Sequence, residues 1–169
     1  MSNEINNPSL KINPKELVIA ILTKKAKNRV KKKLKTIFLA MGGADHKNLN
    51  IKILKVVEKF KKSLKVNLVT TTANKHLEEL KEYCKDKKWI NLQINSNEVA
   101  KLMSKSDFAI VTSSVTANEI FYLDLPMITI KTAKNQKEMY KYLKKQGYSS
   151  MKKFDKRLLE KSIIKLLGD

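Results

Sequence analysis

Five short apolar runs, Thr36–Met41, Val66–Thr70, Ile90–Ile94, Phe108–Thr112 and Met127–Ile130, constrain this chain more than any other feature. Each is followed by a stretch in which apolar residues return at helical spacing. Ile53, Val57, Phe60 and Leu64 make the first stripe. Leu77, Leu80 and Cys84 make the second, within a helix over about Lys75–Lys87. Val99–Ser104 is a short third helix, and a fourth runs from the Ser113 region through Leu123. Met139, Tyr142 and Leu143 mark a fifth, which Gly147 ends, and Lys156–Leu167 closes the chain. A stretch around Tyr148–Met151 reads as a sixth strand. Strands that alternate with helices and lack a polar face form a parallel sheet covered on both sides. The expected fold is therefore α/β, a doubly wound, Rossmann-like parallel sheet of five or six strands, with ligands at the carboxyl ends of the strands. Asn95-Ser-Asn-Glu98 and Asn135-Gln-Lys-Glu138 read as capping boxes for the third and fifth helices.

Three loops meet at those strand ends. In the first, strand one runs into Gly42-Gly43 and the chain turns polar through Asp45 and Asn48 before helix one. Glycine has no Cβ, so a phosphate can approach the backbone N–H groups closely. A plain tight turn would use the same two residues, and spacing alone does not choose between them. The second loop, Ser113-Ser-Val-Thr-Ala-Asn-Glu119, opens helix four. It offers N–H groups at about Ser114, Val115 and Thr116, together with the positive end of the helix dipole. Glu119, one turn in, has a carboxylate that can accept from two ribose hydroxyls, while ordinary N-capping explains the same residues equally well. The third loop is Thr132–Gln136.

The net charge of +20 comes from 36 basic and 16 acidic residues and raises the possibility of nucleic acid or an anionic membrane as partner. Residues 1–35 read as a basic lead-in and linker helix, with Lys24–Lys35 its most basic part. Residues 36–169 read as the folded domain. The excess is almost all lysine: Arg29 and Arg157 are the two arginines, and few aromatics interleave the basic runs. Base reading favours the arginine fork and single-strand binding favours aromatic platforms, so no specific nucleic-acid partner is expected. His46 and His76 are the two histidines, too few for a metal constellation, and neither a metal nor a cofactor is expected. Cys84, the lone cysteine, is expected in the core of a cytoplasmic protein. The opening residues lack the pattern of a signal peptide, and no apolar run approaches the ~20 residues of a membrane span.

Taken together, Met41-Gly-Gly-Ala-Asp45 with Asn48, Ile94–Met103, Ser113–Glu119, Leu125-Pro126, Lys134-Asn-Gln136 and Gly147-Tyr148 resemble the carboxyl-terminal domain of GT-B nucleotide-sugar enzymes. The resemblance is nearest to the UDP-sugar hydrolases of pseudaminic acid biosynthesis and covers about Thr36 to Tyr148. It implies that Gly42 and Gly43 line a bound diphosphate, that Ser114, Val115 and Thr116 donate to it, and that Glu119 holds the ribose. The backbone from Ile94 borders the uracil in this reading. Asn135 and Gln136 face the sugar, and Asp45 and Asn48 either order the glycine loop or reach the sugar. The family hydrolyses UDP-sugars without metal and with inversion, using a base in an amino-terminal half to which residues 1–35 do not correspond. The resemblance therefore implies no catalytic residue in this chain. His46 is a substitute candidate for the base, or a surface residue of its loop. Asp124 stands where such domains carry glycine, and aspartate can still tolerate a left-handed turn. The expected partners are UDP or a UDP-sugar, an amino-terminal catalytic half, and a second copy of the chain if apolar surface is exposed at the strand ends. A glycosyltransferase carboxyl domain and a basic nucleic-acid-binding module are the alternatives.

Overall fold

The computed structural model describes Asn13, Lys15, Glu16 and residues 35–168. The expected lead-in helix lies outside the described residues apart from those first three. The elements are β1 (Lys35–Ala40), α1 (Leu49–Val57), β2 (Leu64–Thr70), α2 (Leu77–Cys84), β3 (Ile90–Ile94), α3 (Val99–Ser104) and β4 (Phe108–Thr112). They continue with α4 (Val115–Tyr122), β5 (Met127–Ile130), α5 (Lys137–Lys145), β6 (Ser149–Met151) and α6 (Lys156–Gly168). Short 3₁₀ turns extend α1 (Glu58–Phe60) and precede α5 (Lys134–Gln136).

The six strands form one sheet in the order β3-β2-β1-β4-β5-β6, every pair parallel. This is the dinucleotide-fold order, in which the chain runs outward from β1 on one side and then restarts at β4 on the other. Because side chains alternate across a strand, successive β1 residues enter different cores. Ile37, Leu39 and Met41 join the layer formed with α1, α2 and α6, whereas Phe38 and Ala40 join the layer formed with α3, α4 and α5. Leu80 and Cys84 of α2 lie in the first layer, so the cysteine is a core thiol. Burial pushes its pKa up to about 11. A reciprocal pair starts the central seam: Asp107 N–H donates to the Thr36 carbonyl at 2.7 Å, and Thr36 N–H donates to the Asp107 carboxylate at 2.7 Å.

Three local expectations are corrected. Leu64 is not on the first helical stripe. Helix α1 tightens after Val57, Ser63 N–H returns to the Phe60 carbonyl at 2.8 Å, and Leu64 enters β2 fully buried. Strand β3 is not apolar on both faces. It is an edge strand, and Asn91 and Gln93 form a ladder of side-chain amides with Asn67 of β2. Neither capping box forms. The Asn95 carboxamide instead accepts from Thr72 N–H at 3.1 Å, and the Gln136 carboxamide accepts from Thr132 N–H at 2.8 Å. Glu98 and Glu138 pair with Lys101 and Lys141. Asp124 does take the left-handed conformation, with φ +50°, and Gly147 ends α5 at φ +88°.

Candidate functional site

The strand order turns two sequence motifs into neighbours. β1 and β4 pair side by side through Ala40 and Val111, so the Gly42-Gly43 turn and the Ser113–Ser114 turn leave the sheet next to each other. This is the topological switch point, where the connections diverge to opposite faces and open a crevice between them. Gly42 has φ +78°. A Cβ there would meet nothing within 4 Å, so backbone conformation rather than lack of room requires the glycine.

The glycine turn is held from below. Asp45 is 3% exposed and has φ +39°. Its two carboxylate oxygens accept from Leu49 N–H at 2.8 Å and Asn50 N–H at 2.9 Å, capping α1 from four residues before its start. Burial pushes this carboxyl above its ordinary range, against the opposing pull of the two donors and of His76 and Lys52. Of the two roles expected for Asp45, ordering the loop is the one this geometry serves. Asn48, with φ +49°, caps α1 by backbone position and donates from its amide to Glu79 at 3.1 Å. His46 is exposed on the turn between them.

On the β4 side, Ser114 is the N-cap of α4, but its amide is not free as expected. It donates to the Thr112 carbonyl at 2.8 Å, and its hydroxyl pairs with that of Thr112 at 2.7 Å. The open donors are therefore one step further on, at Val115 and Thr116, the first two residues of α4. Ser113 is fully buried. Glu119 is half-buried, and its pKa is raised to about 7 by that burial alone.

Among the described residues, every buried side-chain nitrogen or oxygen without a hydrogen-bond partner belongs to these two loops and the helices they open. The atoms are Asn48 Oδ1, both amide atoms of Asn50, Ser113 Oγ and Glu119 Oε2. Folded proteins pair their buried polar groups, and exceptions concentrate where a ligand or a chemical step supplies the partner. A carboxylate with a buried unpaired oxygen can accept from neutral hydroxyls, and the start of α4 favours an anion.

The other expected residues lie along the same carboxyl edge but on outer strands. Ile94 ends β3, half-buried beside Thr70. Asn135 is exposed in the turn after β5, and Gln136 is fixed to Thr132. Sequence reading missed the loop after β2. There Thr71 Oγ1 donates to the Gly43 carbonyl at 2.9 Å and Thr72 binds Asn95, so the first three βα loops are joined by hydrogen bonds. The signal was present in the run Thr70-Thr71-Thr72 at a strand end. The exposed apolar surface is also not chiefly at the strand ends. Val115 lies there, but Phe121, Tyr122 and Tyr142 flank a cleft of about 380 Å³ between α4 and α5. No group of three or more metal-ligating side chains occurs among the described residues. No described helix is long and apolar enough to cross a membrane.

No protein-family model matches the chain. It is 33% identical over 111 residues to the UDP-2,4-diacetamido-2,4,6-trideoxy-beta-L-altropyranose hydrolase of Campylobacter jejuni, a match that covers 66% of this chain and 39% of that one. The chain is a homologue of that hydrolase. It is also 26% identical over 120 residues to the spore coat polysaccharide biosynthesis protein SpsG of Bacillus subtilis, covering 70% of this chain and 35% of that protein. The chain thus spans little more than a third of either relative. Among solved structures, MurG of Acinetobacter baumannii superposes with a TM-score of 0.64 at 16% identity, over 85% of this chain and 44% of that one. At that identity the superposition speaks for the fold. The chain has a GT-B-like α/β fold, as the motifs implied.

Proposed function

We propose that this domain binds UDP-sugars at the β1–β4 crevice and supplies the nucleotide half of a metal-independent hydrolase. That enzyme would release UDP and an amino-deoxy sugar with inversion. The observation that carries the reading is the set of unpaired buried polar atoms in the two loops at the switch point and the helices they open, Glu119 Oε2 and Ser113 Oγ among them. In this reading the Gly42-Gly43 turn borders the diphosphate, and Val115 and Thr116 donate to it from the start of α4. Glu119 accepts from the ribose hydroxyls, and the backbone after Ile94 borders the base. Asn135 and Gln136 face the sugar. Asp45 and Asn48 hold the glycine turn in place.

Hydrolysis with inversion needs a base that delivers water to the face of the anomeric carbon opposite the nucleotide. Among the described residues His46 is exposed and not fixed beside the crevice, so the base is assigned to a catalytic half outside residues 35–168. The domain's share of catalysis is then to hold the leaving group and to stabilise negative charge as it gathers on the diphosphate. The test is calorimetric titration at moderate salt with UDP, and with CMP and ADP as controls. UDP-selective binding in the range of about 4–8 kcal/mol supports the assignment. Binding that is equal for all three and lost with salt refutes it. Turnover of a UDP-sugar with the complementary half, to free sugar rather than to a transferred product, separates hydrolase from glycosyltransferase.

A further inference from the structure

The loop after β2 does more than connect. Three donors converge on one acceptor, the carbonyl of Gly43: Thr71 Oγ1 at 2.9 Å, Thr71 N–H at 3.4 Å and Thr70 Oγ1 at 3.4 Å. Both hydroxyls are themselves oriented. Thr71 Oγ1 accepts from Ala73 N–H at 3.2 Å, and Thr70 Oγ1 accepts from the buried amide of Asn74 at 3.2 Å. A hydroxyl has one proton, so a hydroxyl that accepts from one side and has a second acceptor in reach directs its proton there. Each of these two protons is thereby aimed at Gly43.

A peptide unit is planar and trans, so its C=O and N–H point in opposite directions. Tying the Gly43 carbonyl towards β2 therefore turns the next N–H, that of Ala44, away from β2. The crevice between β1 and β4 lies on that side. Among the described residues the Ala44 N–H has no acceptor, although Ala44 is only 8% exposed. A buried N–H group normally has a partner. We infer that Thr71 is a positioning residue: its hydroxyl locks the Gly43–Ala44 peptide so that the Ala44 amide is presented to a phosphate oxygen of the bound nucleotide. Thr70 and Asn74 support the same peptide from beneath. The inference rests on the nucleotide site proposed above and adds the donor that the glycine turn contributes.

The experiment combines calorimetry with amide NMR of the domain. In the wild type, saturation with UDP should shift the Ala44 amide proton downfield, whereas uridine, which has no phosphate, should leave it in place. Thr71→Val keeps the shape and the backbone donor but removes the hydroxyl. It should weaken UDP about tenfold and abolish the Ala44 shift at saturation while leaving the thermal midpoint within a few degrees, and Thr71→Ser should restore both. If wild-type protein binds no UDP, the nucleotide site itself is wrong and the inference falls with it. If wild type binds UDP but Thr71→Val binds it equally well, the role of Thr71 is overturned, and if Ala44 moves as much with uridine, the contact of Ala44 with phosphate is overturned, the nucleotide site standing in both cases. If the valine variant does not fold, the wild-type shift can still overturn the inference, because an Ala44 amide that stays in place with UDP is not meeting phosphate.

Discussion

Glu119 makes the nucleotide site testable by pH. Its carboxyl is raised from 4.5 to about 7 because burial disfavours its charge, and no described group pairs with its Oε2. Ribose hydroxyls would provide the missing donors, and they favour the ionised form. Binding should therefore strengthen as pH rises from 6 to 8, with proton release on binding. If only the carboxylate is competent, at pH 6 about a tenth of the protein is, and the apparent Kd rises roughly tenfold relative to pH 8. Glu119→Gln retains one acceptor and the shape without the charge. Hydrogen bonds to a charged group contribute about 1.5–3 kcal/mol, so the variant should bind UDP roughly 10- to 150-fold more weakly at pH 8. At pH 6 that gap should narrow about tenfold, to roughly 1- to 15-fold. UDP titrates too, so the quantity to follow is the ratio of variant to wild-type Kd across pH, in which the ligand's own protonation cancels. A ratio that stays flat from pH 6 to 8, or stays at one, would refute the assignment. The same shift affects the unliganded domain with opposite sign. The folded-state pKa lies above the unfolded one, so stability from this group is complete below about pH 4.5 and declines as pH rises through 7. Glu119→Gln should lack that part of the decline in thermal midpoint.

Other outcomes follow from single contacts. Gly42→Ala should cost roughly 1–2 kcal/mol from the left-handed backbone alone, seen as a midpoint lowered by about 2–4 °C per kcal/mol. Asp45→Ala removes both caps from the start of α1 and should destabilise by about 2 kcal/mol in denaturant titration, near the top of the range for lost caps. The same variant should weaken UDP binding, because the glycine turn loses its anchor. Cys84 should resist iodoacetamide at pH 7.5 in the native state and react promptly in denaturant, since its thiol is buried with a pKa near 11.

The bounds of several elements were legible to the residue. β4, β5 and α3 begin and end where the sequence placed them, because a buried strand or a short amphipathic turn has no alternative use for its apolar residues, and β3 does so although its apolar residues alternate with exposed amides. What failed was the choice of partner by short polar side chains. Asn95 looks like a helix cap in sequence, yet it binds the Thr72 amide that tertiary structure brings within reach, and beside the expected cap Asn135 it is Gln136 that folds back on the Thr132 amide. Ser114 looks like an open donor, but the backbone folds it onto Thr112. The two principal loops of the candidate site were readable because glycine pairs and small hydroxyl residues at strand ends are uncommon. The bracing by Thr70, Thr71 and Asn74 was not, since it depends on β2 lying beside β1.

The pairing of β1 with β4 has a consequence for how the domain assembles. β1, β2 and β3 follow one another closely along the chain, whereas Ile37 must find Phe108 across the whole first half of the domain. Closing so long a loop is entropically unfavourable, and pairings of this kind limit folding rates. The crevice does not exist until that closure has occurred, because one wall belongs to each half. A molecule lodged there acts as a clasp: it cannot assist the first half to form, but once seated it resists the parting of the two. Its stabilisation, which grows as RT ln(1 + [L]/Kd), resists parting of the β1–β4 seam from the carboxyl end, where Ala40 lies beside Val111. Hydrogen exchange of β1 and β4 amides should slow on ligand binding before that of β3 or β6.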